Sequence, residues 1–234
     1  MTGCNFGVAA TGDCVVCTNE GNADMTTSMP KLHIVAMGIE KMVPDYASLA
    51  VFQRLLCRCG TGQPTTTYTS HFRQARPGAE MHVVLVDNGR SNMLADENHW
   101  QTLKCIRCGS CMNTCPVYRR SGGYSYTYFI PGPIGVNLGM LKDPYRYSDN
   151  VSACSLCLSC DKVCPSMVNP GSQIYLWRQS LEPLGKADPV KKAMSTGMEV
   201  IFNHPGLYTS ALRLAPLANV VPESLTHFSR LNPW

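Results

Sequence analysis

Apolar residues gather in short runs along the first 95 positions, with polar turn signals between them. Phe6–Ala10 and Val15–Thr18 read as short strands on either side of Thr11-Gly12-Asp13. Glu20-Gly21-Asn22-Ala23-Asp24 reads as a polar loop, and Leu32–Met37 as a buried strand. Pro44-Asp45 then opens a helix whose Leu49, Phe52, Leu55 and Leu56 share one face, ended by Cys57-Arg58-Cys59-Gly60. Thr65–Ser70 is Thr- and Tyr-rich, a β signal, and Met81–Val86 is the clearest strand, closed by Asp87-Asn88-Gly89. Strand, helix, strand order predicts a partly parallel α/β layer over residues 1–95.

The pattern changes after that point. Asp96 is placed to cap a short helix through Leu103 that leads to Cys105. Arg119–Asn150 is rich in Tyr, Gly and Pro, with Tyr124, Tyr126 and Tyr128 alternating before a stiff turn at Pro131-Gly132-Pro133-Ile134-Gly135. A connector of that length and composition predicts a helical, two-lobed domain over 96–182 rather than a compact β hairpin. Ser172 would cap a helix through Leu181 containing Ile174 and Trp177. Asp188-Pro189 would open another, with Val190, Ala193, Met194, Val200 and Ile201 as its apolar positions. Pro205, Pro216, Pro222 and Pro233 interrupt a helix-prone tail, 183–234, that reads as a docking segment. The fold class expected is α+β, in three parts.

Composition narrows the chemistry. A 234-residue chain that is 44% hydrophobic can bury a core, yet no run approaches 18 consecutive apolar residues, so direct membrane insertion is not expected. Met1-Thr2-Gly3-Cys4-Asn5-Phe6 lacks a basic segment followed by an apolar one, so the 13 cysteines are assigned to a reducing cytoplasm, where such density means metal rather than disulfide. The formal charge of +4 counts the cysteines as neutral, and the basic residues form no long block, which gives nucleic-acid binding no support.

The metal chemistry is written twice. Cys105-x-x-Cys108-x-x-Cys111-x-x-x-Cys115-Pro116 recurs as Cys154-x-x-Cys157-x-x-Cys160-x-x-x-Cys164-Pro165, every position offset by 49. This is the run of two-cluster ferredoxins, in which three close thiolates converge on one cubane and the fourth reaches across to the other. The ligand sets expected are Cys105, Cys108, Cys111 and Cys164 on one 4Fe–4S cluster, and Cys154, Cys157, Cys160 and Cys115 on the second. Zinc prefers paired C-x-x-C units, often with His, and no His lies between Cys105 and Cys164; disulfides suit short secreted chains. The chain therefore reads as an electron carrier.

These features, together with Thr18-Asn19-Glu20-Gly21-Asn22, Gly38-Ile39-Glu40-Lys41, Leu85-Val86-Asp87-Asn88-Gly89-Arg90, Cys115-Pro116-Val117-Tyr118-Arg119-Arg120, Pro131-Gly132-Pro133-Ile134-Gly135 and Trp177-Arg178-Gln179, resemble the iron–sulfur subunit of the bacterial L-lactate utilisation system. The resemblance implies a partial α/β lactate-utilisation (LUD) domain, a helical double-cluster ferredoxin domain and a helical C-terminal tail. It also implies companion subunits in a complex that oxidises L-lactate to pyruvate, with this chain as a non-catalytic electron-transfer subunit. A subunit for another 2-hydroxy acid such as glycolate, or a redox-sensing binding module, are the alternatives. Members of that family carry a long segment before the position of Gly3 and extend past Trp234, so the chain is expected to begin inside its α/β domain. Their Ala-Glu-Thr-Gly-Thr reads here as Ala9-Ala10-Thr11-Gly12-Asp13, and Met167 and Gly171 replace Lys- and His-like residues.

The remaining cysteines and bases carry less. Cys14 and Cys17 sit at an odd offset on a strand, which puts their sulfurs on opposite faces as packing residues. Cys57 and Cys59 at a helix end are also expected to pack, and Cys4 is uninformative. His33 reads as a hydrogen-bonded core histidine; His71, His82 and His99 belong to no motif. Lys104, Arg107, Arg119, Arg120 and Lys162 lie beside the cysteines and either favour the reduced clusters or face solvent and partners. Gly132-x-x-Gly135 lacks the strand and helix of a phosphate loop.

Overall fold

The computed structural model describes residues 1–186 and 189–214, which fall into two compact units, 1–179 and 180–234. The first unit opens with β1 (Thr2–Gly3), β2 (Phe6–Val8), β3 (Asp13–Thr18), α1 (Asn22–Ser28), β4 (Leu32–Gly38), β5 (Met42–Val43), α2 (Tyr46–Thr61), β6 (Tyr68–Phe72), β7 (Glu80–Val86) and α3 (Arg90–Leu94). These strands make two sheets rather than one layer. A parallel sheet runs β1-β4-β7, and a mixed sheet runs β5-β2-β3-β6. The split follows from β3 folding back antiparallel on β2 and then taking β6 as its other neighbour, which draws that hairpin out of the parallel array.

Two apolar cores result. Phe6, Val8, Val15, Val43 and Leu49 pack together with Phe52 and Leu56 of α2. Cys4, Cys14, Val35 and Met37 form the second with Met81, between strands of the two sheets. Cys14 and Cys17 do face opposite ways, one into each core. His33 is buried and bonded to the Thr2 hydroxyl at 2.8 Å, as the sequence leads one to expect.

Several elements differ from the sequence reading. The polar stretch at Glu20–Asp24 is loop only through Gly21, where φ is 70°; α1 begins at Asn22. Its Thr26, Thr27 and Ser28 hydroxyls bond back to carbonyls of the preceding turn, and Asp24 receives the Ser70 hydroxyl, so a helix with no apolar period is held by polar partners. Asp45 caps α2 through the Ser48 N–H as expected, but the helix continues past Cys59 to Thr61, and Gly62, not Gly60, ends it. The strand expected at Thr65–Ser70 runs later, Tyr68–Phe72, in register with Cys14–Thr18. β7 lies at the sheet edge with Val83, Val84 and Leu85 exposed, although successive residues point to opposite faces.

From Asp96 onward the unit is helical. Asp96 accepts the N–H groups of Asn98 and His99 and leads into a 3-10 turn, Trp100–Lys104, in place of the α-helix expected. There follow α4 (Ser110–Thr114), α5 (Pro116–Ser121), α6 (Gly132–Lys142), α7 (Pro144–Ser152), α8 (Ser159–Lys162) and α9 (Pro170–Ser180). Pro131–Gly135 is the entry to α6, not a free turn. A Cβ on Gly135 would lie 1.7 Å from the Ile130 carbonyl oxygen, so glycine is what lets the helix close against its own lead-in. Asn137 is fully buried and donates to the carbonyls of Pro133 and Pro170, tying α6 to the start of α9. Gln173 likewise ties the Thr102 hydroxyl to the Val168 carbonyl.

In the second unit, α10 (Pro189–Asn203) and α11 (Pro205–Leu214) both begin at a proline, where the missing N–H costs nothing. Pro205 therefore starts a helix instead of ending the helical tail. Asp188, Pro216, Pro222 and Pro233 lie outside the described residues. Among the described residues no helix is long and apolar enough to cross a membrane.

One ion pair gives the fold a pH dependence. Asp13, 3% exposed, accepts both Arg73 Nε at 3.0 Å and its terminal nitrogen at 3.2 Å. Those hydrogen bonds hold the Asp13 carboxyl below the ordinary carboxylate range. The pair thus adds stability that is present above the ordinary aspartate value of about 3.9 and lost as pH falls through the depressed folded value. Chemical denaturation of Arg73→Gln should show it less stable than the parent near neutrality, with the difference closing as the pH falls through the depressed Asp13 value.

Candidate metal centre

The two cysteine loops have the same backbone. Arg107 and Leu156 take φ of 60° and 53°, and Gly109 and Leu158 take 82° and 56°. Both pairs are separated by 49 (156 − 107 and 158 − 109), the offset of the cysteines. α4 and α8 then start at Ser110 and Ser159, again 49 apart. Left-handed residues at alternate positions curl the chain so that successive sulfurs point inward. Glycine supplies this at 109; Leu158 adopts it at a cost of about 1–2 kcal/mol.

Cys105, Cys108, Cys111 and Cys164 all line one cavity of about 740 Å³. The electrostatic influences sort the same way. Cys111 is acted on by Cys105, Cys108 and Cys164, and Cys154 by Cys115 and Cys157. Cys160 feels both Cys154 and Cys111, so the two groups are neighbours. Burial pushes the Cys111 and Cys160 thiols up to about 12, and raises Cys105 and Cys154 as well. A thiol so placed gives up its proton only when a metal replaces the positive charge.

Several donors already aim at sulfur. The N–H groups of Tyr118, Leu156 and Val168 reach Cys115, Cys154 and Cys164 at 3.5, 3.4 and 3.3 Å. Burial, and then the Cys115 thiol beside it, push the titration of the Tyr126 hydroxyl up. Ser166 lines the cavity beside Cys164, and its buried hydroxyl has no partner among the described residues. An orphaned donor beside four converging thiols fits a sulfur-rich anionic core. Among the described residues, no three His, Cys, Asp or Glu side chains close on a single metal ion.

The surroundings of the two groups differ in charge. Beside the first, Glu40 pairs with Arg90 through Nε, and Arg107 stands 3.6 Å from the other Glu40 oxygen. Beside the second, Asp161 lies 3.6 Å from the Cys160 sulfur. The same carboxylate accepts the Gly171 and Ser172 N–H groups and the Ser172 hydroxyl, so Asp161, and not Ser172, caps α9. Arg178 fastens α9 to the carbonyls of Val151, Ser152 and Cys154, the last immediately at the second run.

The other residues named from sequence fall into place. Lys104 sits over the Trp100 ring at 4.5 Å, and Arg119, Arg120 and Lys162 are exposed. Cys57 is buried with its thiol on the Arg54 carbonyl. Cys59 is nearer the site than expected: burial raises it first, then the charges of Cys108 and Cys164. Cys4 and Cys14 share one core and act on each other, which lowers Cys4 to about 7 and raises Cys14. His99, seen as motif-free, is buried, bonded to Asp96 and stacked on Trp177 at 3.8 Å between ring centres. Sequence reasoning missed Tyr126, Asp161, Ser166 and His99 because each depends on a partner far along the chain or on burial.

Residues 1–92 match the LUD domain, and 101–168 match a 4Fe–4S dicluster domain. The chain is 40% identical over 215 residues to the uncharacterized electron transport protein YkgF of Escherichia coli (strain K12), covering 89% of this chain and 45% of that one. It is 41% identical over 224 residues to lactate utilization protein B of Bacillus pumilus, covering 93% and 47%. The protein of the same name from Bacillus cytotoxicus is 40% identical over 225 residues, with the same coverage. The chain thus spans a little under half the length of these relatives. No solved structure matches it.

Loss of the cap on α9 is measurable. Asp161→Ala should destabilise the metal-free chain by about 1–2 kcal/mol in chemical denaturation, and Asp161→Asn by less, since the amide oxygen still accepts.

Proposed function

From a chain that joins a LUD domain to a 4Fe–4S dicluster domain and is homologous along 93% of its length to proteins named lactate utilization protein B, we propose an electron-transfer iron–sulfur subunit of a complex oxidising L-lactate to pyruvate. What supports it is that cysteines of the two runs lie together. Cys164 of the second joins Cys105, Cys108 and Cys111 of the first at one cavity, and Cys115 of the first acts on Cys154 of the second. We assign Cys105, Cys108, Cys111 and Cys164 to one cluster and Cys154, Cys157, Cys160 and Cys115 to the other.

The two 4Fe–4S clusters of the dicluster domain supply one-electron transfer when bound. The chain's own part is to provide thiolates, to hold charge on sulfur with the N–H groups of Tyr118, Leu156 and Val168, and to keep water away by burial. No residue here is given a bond-making role. Companion subunits, with substrate oxidation in one of them or at an interface shared with this chain, belong to the proposal, as does a cytoplasmic setting in keeping with 13 free cysteines. We divide the chain functionally into 1–95, 96–182 and 183–234.

Anaerobic reconstitution should yield about eight iron and eight sulfide per chain. Cys115→Ser should remove about half, and the cluster lost should be the one held by the second run. The assignment fails if that variant instead disturbs the cluster of Cys105, Cys108 and Cys111. With companion proteins co-purified, L-lactate should reduce the clusters. Reduction by glycolate alone would move the substrate to another 2-hydroxy acid, and reduction by dithionite alone would favour a redox-sensing module.

A further inference from the structure

Two charged motifs of the LUD domain carry no cluster ligand, yet they meet. β4 and β7 are adjacent and parallel, paired from Leu32↔Glu80 to Gly38↔Val86, so their loops leave the same edge of the sheet. Beyond the carboxyl ends of parallel strands is where open α/β sheets place ligands. Here the loop after β4 brings Glu40, the loop after β7 brings Asn88 and Arg90, and Arg107 arrives from the first cysteine loop. All four line the cavity that Cys105, Cys108, Cys111 and Cys164 also line.

The Glu40 side chain is 8% exposed and that of Arg90 18%. Burying such a pair is costly and often stabilises no better than apolar packing, so stability is a poor reason for it. Gly38 is shaped to it: a Cβ there would fall 2.0 Å from a Glu40 carboxylate oxygen. Arg90, Arg107 and half-buried Lys41, which feels Arg107, Glu40 and Arg90, gather three cations around Glu40, with Asp87 beside Arg90 and Asp96 also lining the cavity. Each guanidinium presents five N–H donors, more than Glu40 and the Asp87 carbonyl on Arg90 consume. Arg107, half-exposed and 3.6 Å from Glu40, is the one with most to spare.

We propose that this corner of the cavity binds a small carboxylate of the 2-hydroxy or 2-oxo acid class. Its carboxylate lies on Arg107; a 2-hydroxyl donates to Glu40, whereas a 2-oxo oxygen, which can only accept, takes a spare N–H of Arg90, beside the thiols assigned to the first cluster. The site rests on the lactate-utilisation reading for its ligand class, and on the cavity and its charges for its place.

Calorimetric titration of the anaerobically reconstituted protein with L-lactate, pyruvate and acetate tests it, with iron and sulfide counted on the same sample. Lactate and pyruvate should bind saturably, and acetate, which lacks the 2-oxygen, at least about tenfold more weakly, the loss expected for one hydrogen bond to a charged group. Arg107→Gln should weaken both acids by about tenfold or more, and Glu40→Gln should weaken lactate more than pyruvate, because only the alcohol donates. Lactate should also perturb the electron paramagnetic resonance of one reduced cluster and leave the other unchanged. Full iron loading with no heat from either acid would overturn the site, as would Arg107→Gln binding like the parent or acetate binding like lactate. Missing iron would instead count against the electron-transfer reading, so the two failures are told apart.

Discussion

Everything in the helical part of this chain follows from the need to keep buried sulfur charged. Burial alone holds Cys105, Cys111, Cys154 and Cys160 in their protonated form, and only positive metal reverses that. The chain meets the need by winding the same way twice, with left-handed residues at matching positions and backbone N–H groups turned toward sulfur. The rest serves to hold those windings together. Asn137, Gln173 and Arg178 each join segments distant in sequence across the back of the loops.

The LUD domain is therefore more than a neighbour. Glu40 and Arg90 of that domain, with Arg107 of the first cysteine loop, put a carboxylate and two guanidiniums beside the first group of thiols, while Asp161 and Arg178 put one of each beside the second. Positive charge near a cluster favours its reduced form and negative charge opposes it, so the two sites are not electrically equivalent even though their loops match. The asymmetry comes from what packs outside the loops.

How much of this the sequence disclosed depends on how local the cause was. The cysteine runs were legible because ligand spacing is a property of a few adjacent residues, and Leu32–Met37, Met81–Val86 and the Asp45 cap were legible for the same reason. α1 was hidden because its Thr and Ser hydroxyls bond within the helix, leaving no apolar period to read. The entry to α6 looked like a turn because Pro131–Gly135 has turn composition, and only the contact with Ile130 shows why glycine sits there. Asp161 capping α9 from ten residues upstream, and Cys115 acting on Tyr126, are tertiary effects with no local trace. The motifs containing Glu40 and Arg90 were visible, but their meeting required the parallel pairing of β4 with β7.

Leu158 gives the two loops unequal tolerance of damage. Where the first winding relaxes onto glycine, the second holds a leucine in the left-handed region and leaves Cys157 exposed to solvent. Oxygen reaching the protein meets the outward sulfur first, and the backbone around it gains by letting go. Ageing in air should strip this molecule in sequence, the later half of the repeat before the earlier, with a half-loaded form accumulating on the way.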